Sequence, residues 1–168
     1  MFEIVLNKPF VKENKSLEEY ESIGELIENI FPFSEDCFCI NWNNIAVSLS
    51  YKYDLSIIFE DFVYIFKFLE SSENKLKIIF PSNTFDVIWD IQKVENSVII
   101  FSIWNTVLNH NEKELNENSF LKVNFDRFKA ELSELLKFIY KIIIDNKNNI
   151  NNYLLSDILE DRPNNLIL

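Results

Sequence analysis

His110, Cys37 and Cys39 are the residues of this chain whose types suit nucleophilic or metal chemistry. An imidazole beside a thiol makes a cysteine nucleophile, and the partners of such a dyad can lie far apart in sequence. His110 is the only histidine, and it sits between Asn109 and Asn111 in a polar stretch. That setting reads as an exposed loop histidine. A zinc site built from His110, the two cysteines and a carboxylate lacks the spacing of recognised zinc ligand sets. Cys37 and Cys39 stand two apart on one side of a strand, where a mutual disulfide would strain the backbone. A reduced pair is expected.

The carboxylates offer two arrangements. Asp86 and Asp90 fall on one side of one strand, four residues apart, so their Cα atoms lie ~13 Å from each other. A glycosidase acid–base pair needs its carboxyl groups at ~5–9.5 Å, so this pair suits a binding patch better than catalysis. Glu18, Glu21, Glu25 and Glu28 line one side of a helix whose other side carries Leu17, Tyr20, Ile23, Ile27 and Ile30. Such a stripe is either a solvated face or a surface for a cationic partner. Gly24 is the only glycine. It falls within that helix, so no phosphate loop, dinucleotide fingerprint or nucleophile elbow can be written. Close packing of the helix on a neighbour is its expected role. The reading assigns no catalytic residue, no metal and no cofactor, and expects no enzyme.

The elements that position these residues are legible from periodicity. Phe2–Leu6 reads as a strand closed by Pro9. Ser16 and Glu19 have the spacing of a capping box, opening a helix that runs to about Phe31 and stops at Pro32. Phe38, Ile40 and Trp42, then Ile45, Val47, Leu49, Tyr51 and Tyr53, alternate with small or polar residues. Asn43-Asn44 between them tolerates the positive φ of a two-residue hairpin turn. The register then pairs Trp42 with Ile45, Ile40 with Val47 and Phe38 with Leu49. Asp54 can cap a second helix, Leu55 to Ser71.

A meander follows. Its strands hold Leu76, Ile78 and Phe80; then Phe85, Val87, Trp89 and Ile91; then Val98 to Trp104. The last is so continuously apolar that a central place in the sheet is expected. After a polar connection, Asn105 to Ser119, comes a short strand, Phe120 to Val123. Asn124 then caps a long helix to about Asp145. An Asn-rich break at Asn146–Asn152 precedes a short helix around Leu154–Leu159. Asn is abundant, and many of these residues read as loop filler. Trp42, Trp89 and Trp104 are expected in the core. The class is α+β: one antiparallel sheet of about five to seven strands, hairpin plus meander, with three main helices, in a single domain spanning residues 1–168.

With 27 acidic against 16 basic residues the chain has a net charge of −11. That balance opposes nucleic acid and anionic membrane surfaces as direct partners and favours a cationic one. MFEIVLNKPF has neither the basic region nor the apolar run of a signal peptide, so a cytoplasmic protein is expected.

A small acidic α+β chain with this organisation resembles the immunity proteins of bacterial polymorphic-toxin and contact-dependent growth inhibition systems. The resemblance is carried by the Phe38–Tyr53 hairpin, the Leu76–Trp104 meander and the strand-then-helix ending LKVNFDRFKAELSELLKFIYKII from Leu121. It implies a stoichiometric inhibitor of a cognate toxin domain, often a basic nuclease, whose active site or substrate groove it blocks. No site residue is transferred by it. Charge alone makes Glu18, Glu21, Glu25, Glu28, Asp86 and Asp90 the candidate partner-binding residues. A second reading is an intracellular adaptor that binds through the exposed side of Leu55–Leu69.

Overall fold

A computed structural model describes residues 1–12 and 20–145. The expected capping box at Ser16 and Glu19, the residue Glu18, the Asn146–Asn152 break and the helix at Leu154–Leu159 lie outside the described residues.

The chain runs β1 (Phe2–Val5), α1 (Ile23–Ile30), β2 (Cys37–Trp42), β3 (Ile45–Ser50), a π-helical turn (Tyr51–Leu55), α2 (Ser56–Glu70), β4 (Lys75–Ser82), β5 (Phe85–Val94), β6 (Ser97–Val107), α3 (Glu112–Glu117), β7 (Phe120–Asn124) and α4 (Phe125–Asp145). The class is α+β and every strand pairing is antiparallel. The strands do not form one sheet. They divide into a three-stranded sheet, β1-β2-β3, and a four-stranded meander, β4-β5-β6-β7. Periodicity reports that a strand exists but not which edge it joins. Here the π-helical turn and α2 stand between β3 and β4 and separate the two sets.

The hairpin forms in the expected register, with Trp42 opposite Ile45, Ile40 opposite Val47 and Phe38 opposite Leu49. Asn43 and Asn44 take φ of 49° and 70°, the left-handed pair that matches the twist of the flanking strands. The inward rows of the two sheets meet at the tryptophans. The Trp42 ring lies 5.6 Å from Trp89 and 5.2 Å, edge on, from Trp104. All three are buried. Phe2 extends the cluster to α4 through Phe128, at 4.7 Å.

Two helices start where a side chain caps them. α1 begins later than its apolar spacing suggests. Ser22 accepts from the Glu25 N–H at 3.1 Å and the Glu25 carboxylate accepts from the Glu21 N–H at 2.9 Å. Ser22 and Glu25 thus repeat the cap spacing read at Ser16 and Glu19, and this second pair starts the helix at Ile23. α4 starts as expected, with Asn124 Oδ1 accepting from the Arg127 N–H at 3.1 Å.

Gly24 lets α1 meet α2. A Cβ built on it would stand 2.5 Å from the backbone oxygen of Ser56. Asp54 does not cap α2 as expected. It is buried, and its carboxylate accepts from the Ser50 N–H and from the hydroxyls of Ser82 and Thr84.

Three asparagines do more than fill loops. Asn109 accepts from the Ser48 N–H at 2.6 Å and Asn111 donates to the Ala46 oxygen, so two side chains close part of the free edge of β3. Asn116 accepts from the Trp104 N–H and donates to the Trp104 oxygen, continuing the edge of β6 beyond the end of β7. Among the described residues no helix is long and apolar enough to cross a membrane.

Candidate partner-binding site

The inner face of the four-stranded sheet carries Phe80, Phe85, Val87, Trp89, Ile91, Val98 and Ile100, all buried. Strand alternation therefore sends the intervening residues to the other face. Among the described residues no element covers much of that face. Ile79, Phe101, Ile103 and Phe120 are exposed to 58%, 49%, 54% and 49% respectively. β6 is central in the sheet, as its apolar run suggests, yet it is buried on one side only. The run marks an open apolar face.

The register arranges that face in rows across the strands. The first row holds Lys75, Gln92, Ile99 and Lys122, and the second Lys77, Asp90, Phe101 and Phe120. The third holds Ile79, Ile88 and Ile103. In the fourth, Asp86 stands beside Pro81. Between Asp86 and Val87 the register shifts by one residue, and Asn105 is the extra residue on β6. Its amide donates to Asp86 Oδ1 at 3.1 Å, which orients the carboxylate. In the second row the Phe101 and Phe120 rings touch, with centroids 5.2 Å apart.

Asp86 and Asp90 thus share one outward face, as the spacing requires. They flank Ile88 at an apolar centre. The face is not uniformly acidic, because Lys75, Lys77 and Lys122 lie on it and Lys77 stands directly opposite Asp90. Pro81 and the two lysines on β4 also guard that free edge against pairing with another strand.

The acidic stripe of α1 is a separate surface. Glu21, Glu25 and Glu28 are exposed. Glu25 is engaged in the cap, and Glu25 and Glu28 share an open cleft with Lys12, Asn29, Pro32 and Lys52. The stripe therefore has cations beside it, and the structure does not bring it together with Asp86 and Asp90.

The nucleophile candidates are placed apart. His110 is exposed in the turn after β6, where its N–H closes the turn onto the Val107 oxygen at 3.0 Å. Cys37 and Cys39 are free thiols on β2, in the other sheet. Burial pushes both thiols up; at Cys37 the carboxylates of Asp54, Asp36 and Glu35 add to it, and at Cys39 a backbone hydrogen bond at Val47 offsets part of it while Glu3 adds to it. A raised thiol is a poor nucleophile at neutral pH. A third surface lies on α2, where Ile57 and Tyr64 point outward one heptad apart, near exposed Tyr53.

Sequence reasoning found Asp86 and Asp90 but missed the apolar centre between them. The signal was present: Ile79, Ile88, Phe101 and Ile103 occupy the outward positions of strands whose inward positions are already apolar. No protein-family model matches the chain, and neither does any curated protein or solved structure.

Proposed function

We propose that this chain is a stoichiometric binding protein that neutralises a cognate toxin domain, docking it on the open face of the β4–β7 sheet. The observation that carries the reading is that face: exposed Ile79, Phe101, Ile103 and Phe120 contiguous with Asp86 and Asp90. Exposed apolar patches of this kind mark protein interaction sites. Typical interfaces have an apolar centre within a charged rim.

The division of labour follows from the charges. The net charge of −11 draws a basic domain in at long range. The near-balanced face then holds it through apolar burial, with Asp86 and Asp90 available to basic side chains. A basic nuclease held in this way loses access of nucleic acid to its groove by steric occlusion. The inhibitor itself needs no catalytic residue.

The test is co-expression with a basic toxin domain, taken from a neighbouring gene where one encodes it. The reading expects restored growth and a one-to-one complex by light scattering, both lost in a folded Phe101→Asp variant and both kept in His110→Ala. A folded Phe101→Asp variant that still protects cells would place docking elsewhere.

The second reading is an adaptor joining an assembly through α2. It is favoured by exposed Ile57, Tyr64 and Tyr53. Under it, Tyr64→Asp abolishes partner binding and Phe101→Asp leaves it intact.

A further inference from the structure

We infer that in the free chain a second copy of the chain covers the open β4–β7 face, so that self-association and partner docking compete for one surface. The inference rests on the reading of that face as the docking surface.

Charge names the occupant. The face carries Lys75, Lys77 and Lys122 against Asp86 and Asp90, whereas the chain as a whole has 16 basic and 27 acidic residues. Two copies of so acidic a protein repel across most of their surfaces. On this face that repulsion is absent.

The signs are also ordered along the strands. Lys75 and Lys122 lie in the first row, Lys77 faces Asp90 in the second, and Asp86 lies in the fourth. A two-fold axis between two such faces, perpendicular to the strands and passing between the second and third rows, lays the lysine end of each copy over the Asp86 end of the other. The same axis sets Phe101 over Ile103 twice, since every contact of an isologous pair occurs in duplicate. Stacked sheets keep their strand directions within about 30°, which this arrangement respects. The same axis sets Lys77 over Ile79 and Asp90 over Ile88, so the match in sign lies at the two ends of the face and the apolar match lies on β6.

The consequence is regulatory. The apolar surface stays out of water until a tighter-binding partner displaces the second copy, and the product is a one-to-one complex.

Sedimentation of the full chain across a range of concentrations tests the inference. The expected result is a monomer–dimer equilibrium whose dissociation constant rises roughly tenfold or more in Phe101→Ser/Ile103→Ser, since central apolar anchors dominate such contacts. Both residues are exposed, so the variant should keep the near-ultraviolet signal of the buried tryptophans. Lys75→Glu and Asp86→Lys should each weaken the dimer, and the double variant should regain affinity. An Ile103→Cys chain should be alkylated at position 103 more slowly as its concentration rises.

A chain that is monomeric at every concentration overturns the inference, as does a dimer indifferent to the two serines. Protection of position 103 that does not depend on concentration also overturns it, because the chain's own residues would then cover the face. A monomeric chain that still forms the toxin complex leaves the proposed function standing. A dimer that forms no such complex removes the proposed function alone.

Discussion

Asp54, in the π-helical turn before α2, accepts a hydrogen bond from the Ser82 hydroxyl at the end of β4, and both residues are buried. The same carboxylate takes the Thr84 hydroxyl at 2.6 Å and the Ser50 N–H at 2.8 Å. One side chain thus joins the last residue of the three-stranded sheet to the first turn of the four-stranded one. A buried carboxylate is tolerable only when its oxygens are occupied, and here both are.

Asp54→Ala should therefore cost about 3 kcal/mol or more, because it strands two hydroxyls and an N–H with no acceptor. Asp54→Asn keeps one acceptor oxygen in the same shape and should cost less. Urea denaturation of the two variants checks the order. Equal, small losses would mean that water replaces the carboxylate freely.

Gly24→Ala tests the α1–α2 approach. The added methyl would meet the Ser56 backbone oxygen at 2.5 Å, and a backbone atom cannot rotate away as a side chain can. Helix propensity alone favours alanine by ~1 kcal/mol. The clash should reverse that sign and leave a net loss of about 1–3 kcal/mol, read as a lower thermal midpoint. A stabilised variant would show that the helices can part without loss.

The strands and the hairpin register were legible because alternation and the Asn43-Asn44 turn are local properties of the chain. The division into two sheets was not. It follows from the π-helical turn and α2 standing between β3 and β4, and the Asp54 link across the two sheets was hidden because an aspartate before a helix has the same sequence appearance whether it caps that helix or bonds a distant hydroxyl. The open face was half legible. Asp86 and Asp90 declared themselves by spacing, but the Val98–Trp104 run has the same composition whether Phe101 and Ile103 meet a helix or solvent. The Asn109, Asn111 and Asn116 contacts were illegible, because an asparagine that closes a strand edge differs from one in a loop only by what lies opposite.

Asp61 on α2 gives a pH dependence. Burial, aided by the neighbouring charge of Glu60, raises its carboxyl from 3.8 to about 6. Folding thus favours the protonated form. Well below pH 3.8 the group is neutral in both states and costs nothing. As pH rises from about 4 to about 6 the unfolded chain ionises first, so stability falls, and it stays lower above that window. Asp61→Asn should remove this fall. Relative to the wild type it should gain stability across the window and hold the gain at neutral pH, with a size kept to about 1 kcal/mol by solvent screening. Denaturation of both proteins at pH values spanning the window measures it. A constant difference at all pH values would mean that Asp61 titrates as a free carboxylate.

The last prediction separates the two acidic surfaces by their salt dependence. Partner association should respond to Asp86→Asn/Asp90→Asn more per charge than to Glu21→Gln/Glu28→Gln. Asp86 is oriented by Asn105 and held on a strand beside the apolar centre, whereas Glu28 shares a cleft with Lys12 and Lys52 that already offsets its field. Glu25 is left unchanged because it caps α1. Exposed charges contribute little to folding, so both variants should melt within about 0.5 kcal/mol of the wild type. The aspartate variant should associate more slowly and lose part of its salt dependence, because steering charges act mainly on the rate of encounter. It should also dissociate faster, since these carboxylates border the contact itself. The glutamate variant should change the rate of encounter slightly and the rate of dissociation not at all. If the glutamates govern dissociation and the aspartates do not, the partner sits on α1 and the sheet face is free of it.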